Sequence, residues 1–121
     1  MLKKFEDLEI WQDGRVLTQI VYRLSKEGAF AKDFALRDQI RRACISITSN
    51  ISEGFERSSN KQFLYFLSIA KGSASEVRSQ IYVAFDEEYI SREEFNQLYE
   101  QASKTISKIG GLMHYLNNLK H

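Results

Sequence analysis

Proline is absent from the 121 residues, cysteine occurs once, histidine twice and glycine six times. Without proline the commonest helix breaker is missing, and long helices joined by short connections are the expected organisation. The lone Cys44 excludes an internal disulfide and any zinc site built on a cysteine cluster, and reads as a small core residue. Neither His114 nor His121 follows a glutamate by three positions, so the Glu-x-x-His pairs that build di-iron centres in helical bundles are missing. A histidine-dependent metal site or nucleophilic triad is therefore not expected. There is no apolar run of the ~20 residues a membrane span needs. Charge interrupts the segment Met1 to Asp7 at once and leaves it no apolar signal core, so the expected location is the cytoplasm. No glycine-rich phosphate loop, strand pattern, internal repeat or low-complexity tail is visible.

What is present is a balanced soluble composition, 43% apolar and 27% charged, with a formal net charge of +1. That length and balance fit one domain, residues 1–121, able to bury a core of its own. Charge is nevertheless uneven. Residues 35–85 carry a net +3, residues 86–100 a net −5 and residues 101–121 a net +3. The near-neutral total argues against a strongly basic nucleic-acid binder, while a local basic patch stays open.

Helical periodicity divides the chain into four segments. Leu8, Trp11, Leu17, Ile20, Val21 and Leu24 predict a helix from about Phe5 to Ser25, weakened at Gly14 and ended with the help of Gly28. Lys26 to Lys32 reads as a loop with one buried anchor, Phe30. Asp33 is the expected N-cap of a second helix, striped by Leu36, Ile40, Ala43, Cys44, Ile47 and Ile51 and stopped at Gly54. Ser59 with Gln62 forms a capping-box signature ahead of a third helix striped by Phe63, Phe66, Leu67, Ala70, Ala74, Val77, Ile81 and Phe85. Ser91 with Glu94 repeats the signature ahead of the fourth, striped by Phe95, Leu98, Ala102, Ile106, Ile109, Met113, Leu116 and Leu119. Gly110 and Gly111 inside it suggest a close helix contact. The acidic turn at Asp86 and Lys104, Lys108 and Lys120 farther on complement the helix dipole. Together these features predict an all-α fold, an antiparallel up-and-down four-helix bundle.

The second helix carries a further pattern. Gln39, Arg42, Ser46, Asn50 and Glu53 recur at steps of three and four, a polar stripe only about 100° around the helix from the apolar one. Across the bundle the third helix offers Ser68, Gly72, Ser73, Ser75, Glu76 and Gln80, and Glu76 is placed to pair with Arg42. Three readings compete: a buried hydrogen-bonded network that fixes helix register, a subunit interface, and a ligand or nucleic-acid surface. Arg37, Arg41, Arg57, Lys61, Lys71 and Arg78 supply the cations for the last. No cofactor is expected, and an enzyme would need an unrecognised carboxylate site, for example around Glu53 and Glu76.

Several segments carry a family resemblance: Phe5 to Gln12, Gln39 to Ala43 with Ser46-Ile47, Ser49 to Gly54, and Ile69 to Ser73 with Glu76. In combination they resemble a bacterial four-helix-bundle family whose members include proteins encoded in intervening sequences of 23S ribosomal RNA genes, often labelled S23 ribosomal-protein-like. The chain is also similar to the accessory protein of diversity-generating retroelements. The resemblance implies a homopentamer and association with RNA or a ribonucleoprotein; the alternative is a free-standing nucleic-acid-binding module using the basic residues of the second and third helices, and neither an enzyme nor a membrane partner is expected. It supplies no catalytic residue. The chain departs from the family pattern at Gly14 and Ser52, where alanine is usual.

Overall fold

The computed structural model describes residues 3–119; the Lys120 and His121 of the sequence reading lie outside the described residues. Those described residues are helical and contain no strand. A 3-10 turn, Phe5–Asp7, precedes five α-helices: α1 Glu9–Ser25, α2 Gly28–Lys32, α3 Phe34–Phe55, α4 Asn60–Asp86 and α5 Arg92–Asn117. The first helix thus begins at Glu9 rather than Phe5. Leu8 is extended (φ −73°, ψ 127°), and the preceding turn is closed by Leu8 N donating to the Phe5 carbonyl. Phe5 packs edge-on against Trp11 at 5.2 Å, which ties the turn to α1.

The expected loop before Asp33 is instead the short helix α2. Its one buried residue is Phe30, stacked on Tyr89 at 5.4 Å between centroids. Gly28 opens it at φ +53°, a left-handed conformation that glycine adopts without steric cost.

Caps behave largely as their chemistry requires. The Asp33 carboxylate accepts from Leu36 N, and Ser91 with Glu94 forms a full reciprocal capping box. Ser59 accepts from Gln62 N, but the glutamine does not reach back, so only half of that box forms. Tyr89 also donates its hydroxyl to Asp33 Oδ2 at 2.8 Å, fastening the α4–α5 turn to the start of α3.

The Leu36 N–H first and the Tyr89 hydroxyl second hold the Asp33 carboxyl below its ordinary value. Because its folded pKa is lowered, its contribution is complete above the unfolded value of 3.8 and is lost as pH falls through the folded value. The melting temperature of the wild type should therefore exceed that of Asp33→Asn at neutral pH. The gap should close in acid melts below about pH 4; a gap constant with pH would show that the carboxylate charge contributes nothing.

The apolar stripes meet in one cluster. Leu17, Ile20 and Val21 of α1 lie with Ile40, Cys44, Ile47 and Ile51 of α3, Leu67, Val77 and Ile81 of α4, and Leu98 and Ile109 of α5. Full burial of each large side chain is worth roughly 1.5–3 kcal/mol. Burial pushes the Cys44 thiol up to about 12, so it is an inert core group.

Close helix approach occurs where a missing side chain permits it. A Cβ at Gly54 would lie 2.8 Å from Phe66 Cβ, and one at Gly14 would lie 3.0 Å from Ile47 Cγ2. Gly54 is therefore buried inside α3 rather than capping it, and the helix ends one residue later. Gly72 and Gly111 have nothing within 4 Å of such a position, so neither produces the close contact their size suggested.

Candidate functional site

The polar stripe of α3 is only partly shielded. Ser46 and Asn50 are half-buried, whereas Gln39, Arg42, Glu53 and Glu76 are exposed. Asn50 Nδ2 donates to the Ser46 carbonyl at 2.8 Å and to Ser46 Oγ at 3.0 Å. Ser73 Oγ donates to Ser46 Oγ at 2.8 Å, carrying this small network from α3 to α4. Two small hydroxyl side chains allow that contact, and Ser46, Asn50 and Ser73 each find a partner in it, whereas the Gln80 side-chain oxygen farther along α4 has none.

Beside the network lies a cavity of about 210 Å³ lined by Gln39, Arg42, Ala43, Ser46, Ser73 and Glu76. The Arg42–Glu76 ion pair expected from helix spacing is not formed, although both residues border this cavity. Helix spacing fixes the face a side chain occupies, while exposed long side chains gain too little from pairing to be held in one geometry. Glu76 instead accepts from Gln80 Nε2, one turn along its own helix, and Glu53 pairs with Arg57. Glu53 lies seven residues beyond Ser46, roughly 10 Å along α3. Glu53 and Glu76 are thus not brought together as a carboxylate site. Among the described residues no group of three or more His, Cys, Asp or Glu side chains is placed to hold a metal ion.

The six basic candidates do not form one patch. Arg37 binds the Ala31 carbonyl and Asp38, with its guanidinium over Phe34. Arg41 donates to Ser25 Oγ at 2.8 Å and covers Tyr22, so it belongs to the packing of α1 on α3. Arg57 lies over Phe66, in a cavity wall shared with Lys61 at the α3–α4 turn. Lys71 and Arg78 face α5. Arg78 donates to Ser103 Oγ at 3.3 Å and covers Tyr99, while Lys71 lies beside Gly110.

The sequence reading missed two features. A charge cluster joins α1 to α5: Lys108 Nζ lies 2.7 Å from Glu9 and 2.8 Å from Asp13, with Lys104 3.8 Å from Asp13. The hydrogen bonds of Asp13 and Glu9 hold the Lys108 ammonium above its ordinary pKa. Asp13 sits on the side of α1 facing α5, and only its spacing from Glu9 could have signalled this. The second feature is that six arginines lie over aromatic rings; besides the four above, these are Arg15 over Trp11 and Arg92 over Phe85.

Comparison with known proteins supplies a family. The model of the 23S rRNA-intervening sequence protein family matches residues 6–111. A similar solved structure is that of a protein of unknown function from the S23 ribosomal protein family of Bacteroides thetaiotaomicron. It has a TM-score of 0.78 and 22% identity, covering 86% of this chain and 97% of that one. At that identity the likeness shows the fold. No curated protein matches the chain.

Proposed function

Because the chain belongs to the 23S rRNA-intervening sequence protein family, we propose that it is a non-enzymatic helical scaffold that assembles with copies of itself and associates with RNA or a ribonucleoprotein. In this reading the whole chain is one cytoplasmic domain, an antiparallel up-and-down bundle of the four long helices, and five copies close into a ring.

The bundle arrangement is supported by contacts whose residue numbers rise along one helix as they fall along its neighbour. Ser46 meets Ser73 and Gly54 meets Phe63 between α3 and α4, and Lys71 meets Gly110 and Arg78 meets Ser103 between α4 and α5. Between α1 and α3, Gly14 meets Ile47 and Arg41 meets Ser25.

The observation that carries self-association is the α3–α4 cavity. It is bordered by an exposed cation, Arg42, and an exposed anion, Glu76, that do not satisfy one another within the chain. Opposite charges at one polar face suit a head-to-tail contact, in which Arg42 of one copy meets Glu76 of the next and rotation closes a ring. Gln39, Ser46, Asn50 and Glu53 supply the rest of that face.

Size exclusion with light scattering should give about five times the 14.1 kDa of one chain. Arg42→Glu and Glu76→Arg should each break the assembly toward monomers, and the double exchange should restore it at least in part. A wild-type monomer at micromolar concentration overturns self-association, while a double variant no better than either single overturns the charge contact.

A further inference from the structure

We propose that the valley between α4 and α5 is a track for a short segment of single-stranded RNA, with Lys71, Arg78 and Arg92 facing phosphates and Tyr82 presenting its ring to a base. This rests on the reading that RNA is the partner, and adds where and in what form it binds.

Lys71, Arg78 and Phe85 are spaced by seven residues, two helical turns, and so lie in line on the side of α4 that faces α5. Tyr82 falls one turn after Arg78 on that side. Arg92 and Tyr99 repeat the seven-residue step on α5. The two rows meet. Lys71 lies beside Gly110, Arg78 covers Tyr99, the Tyr82 ring meets Phe95 at 4.9 Å and Tyr99 at 6.1 Å, and Arg92 covers Phe85 at 4.5 Å. From Lys71 to Phe85 the row is roughly 21 Å long.

Charge along this valley differs from that of the segment around it. Although residues 86–100 carry a net −5, Glu93 and Glu100 each follow a track residue by one position. They are thereby turned about 100° away on α5, whereas Asp86, one turn after Tyr82, stands at the Phe85 end of the row on α4. The valley thus carries three cations, Lys71, Arg78 and Arg92, against one carboxylate, Asp86, at its end.

Its geometry is also set in advance. Tyr82 is 48% exposed and meets Phe95 in a T-shaped contact, so a ring open to solvent is also braced on its neighbour. A guanidinium braced over a ring still has N–H donors beyond those its neighbours use, and a phosphate oxygen can accept from them. Such preorganisation lowers the ordering cost of binding. A row of cations tracking a backbone beside aromatic faces that accept any base is how single strands are held without sequence preference. In a duplex the bases are stacked on one another, and Tyr82 would have nothing to receive.

The test is fluorescence anisotropy on the full chain, with labelled oligouridylate as the single strand and a labelled RNA hairpin stem as the duplex. Oligouridylate should bind more tightly than the stem, with affinity falling steeply as salt rises. Lys71→Ala and Arg78→Ala should each reduce the logarithmic salt slope by about 0.7. Tyr82→Ala should weaken binding about tenfold and Tyr82→Phe should retain it, while Arg23→Ala on α1 should change nothing. Lys71 is exposed, so its variant carries the salt test even where Arg78→Ala melts early. Wild-type binding that Lys71→Ala and Tyr82→Ala leave intact overturns the track but not RNA association. Preference for the stem overturns the single-strand assignment, and no wild-type binding to either probe at low salt overturns both proposals.

Discussion

Phe30→Ala should cost about 4 kcal/mol in urea denaturation, the largest loss we expect from a single truncation in this chain. Phe30 is 1% exposed and is the only buried residue of α2. A five-residue helix has no stability of its own, since nucleation consumes what so few hydrogen bonds return. Packing of this one ring therefore holds the segment in place. Its loss also strips Tyr89 of its stacking partner, and Tyr89 is the residue whose hydroxyl reaches Asp33. The damage should therefore spread to the α4–α5 turn and the cap of α3. Phe30→Leu keeps most of the apolar volume and should lose roughly half as much. A Phe30→Ala loss below about 1 kcal/mol would mean that α2 is not anchored through this ring.

Phe30 also shows what could be read from the sequence. That the one large apolar side chain amid Lys26 to Lys32 must be buried follows from its chemistry. That its neighbours form a helical turn does not, because five residues are too short for a periodic signal. The long helices were legible because their apolar positions repeat over several turns, and Ser91 with Glu94 because both partners of that cap are local in sequence.

The candidate site was legible only as faces. Spacing placed Arg42 and Ser46 together on α3, yet which cross-helix contacts form depends on register and on side-chain reach. The short hydroxyls of Ser46 and Ser73 meet, whereas the longer Arg42 and Glu76 do not pair. The α4–α5 valley was hidden for a related reason. Lys71 and Arg78 were visible as cations, but their aromatic and arginine neighbours come from a helix whose register against α4 no single-helix pattern encodes. Arg41 shows the converse. It reads as a free cation in the sequence, and folding commits it to Ser25 and Tyr22.

Gly54→Ala should destabilise the chain by about 2 kcal/mol or more, although alanine is the better helix former by nearly 1 kcal/mol. Had Gly54 been a C-cap, as its position near the end of a helix suggested, only a modest cost would follow. Buried within α3, it leaves the added methyl 2.8 Å from Phe66 Cβ, 2.9 Å from Phe63 Cδ1 and 3.3 Å from the Phe63 carbonyl. The Phe63 ring can swing aside. Phe66 Cβ and the Phe63 carbonyl move only with the backbone of α4, so α3 and α4 must part at this end. Eight residues away, roughly 12 Å along α3, Ser46 and Ser73 meet at 2.8 Å and fix the helix spacing beside the Arg42–Glu76 cavity. A wedge at Gly54 should therefore weaken self-association as well as stability, visible as dissociation at a higher protein concentration on dilution. Gly72→Ala is the matched control. Gly72 is exposed on α4 with nothing within 4 Å of an added Cβ, so alanine there should stabilise by up to about 1 kcal/mol through helix propensity. Equal, small effects from the two substitutions would show that α3 and α4 are not in contact at Gly54, and with that the registration of the polar face would fall.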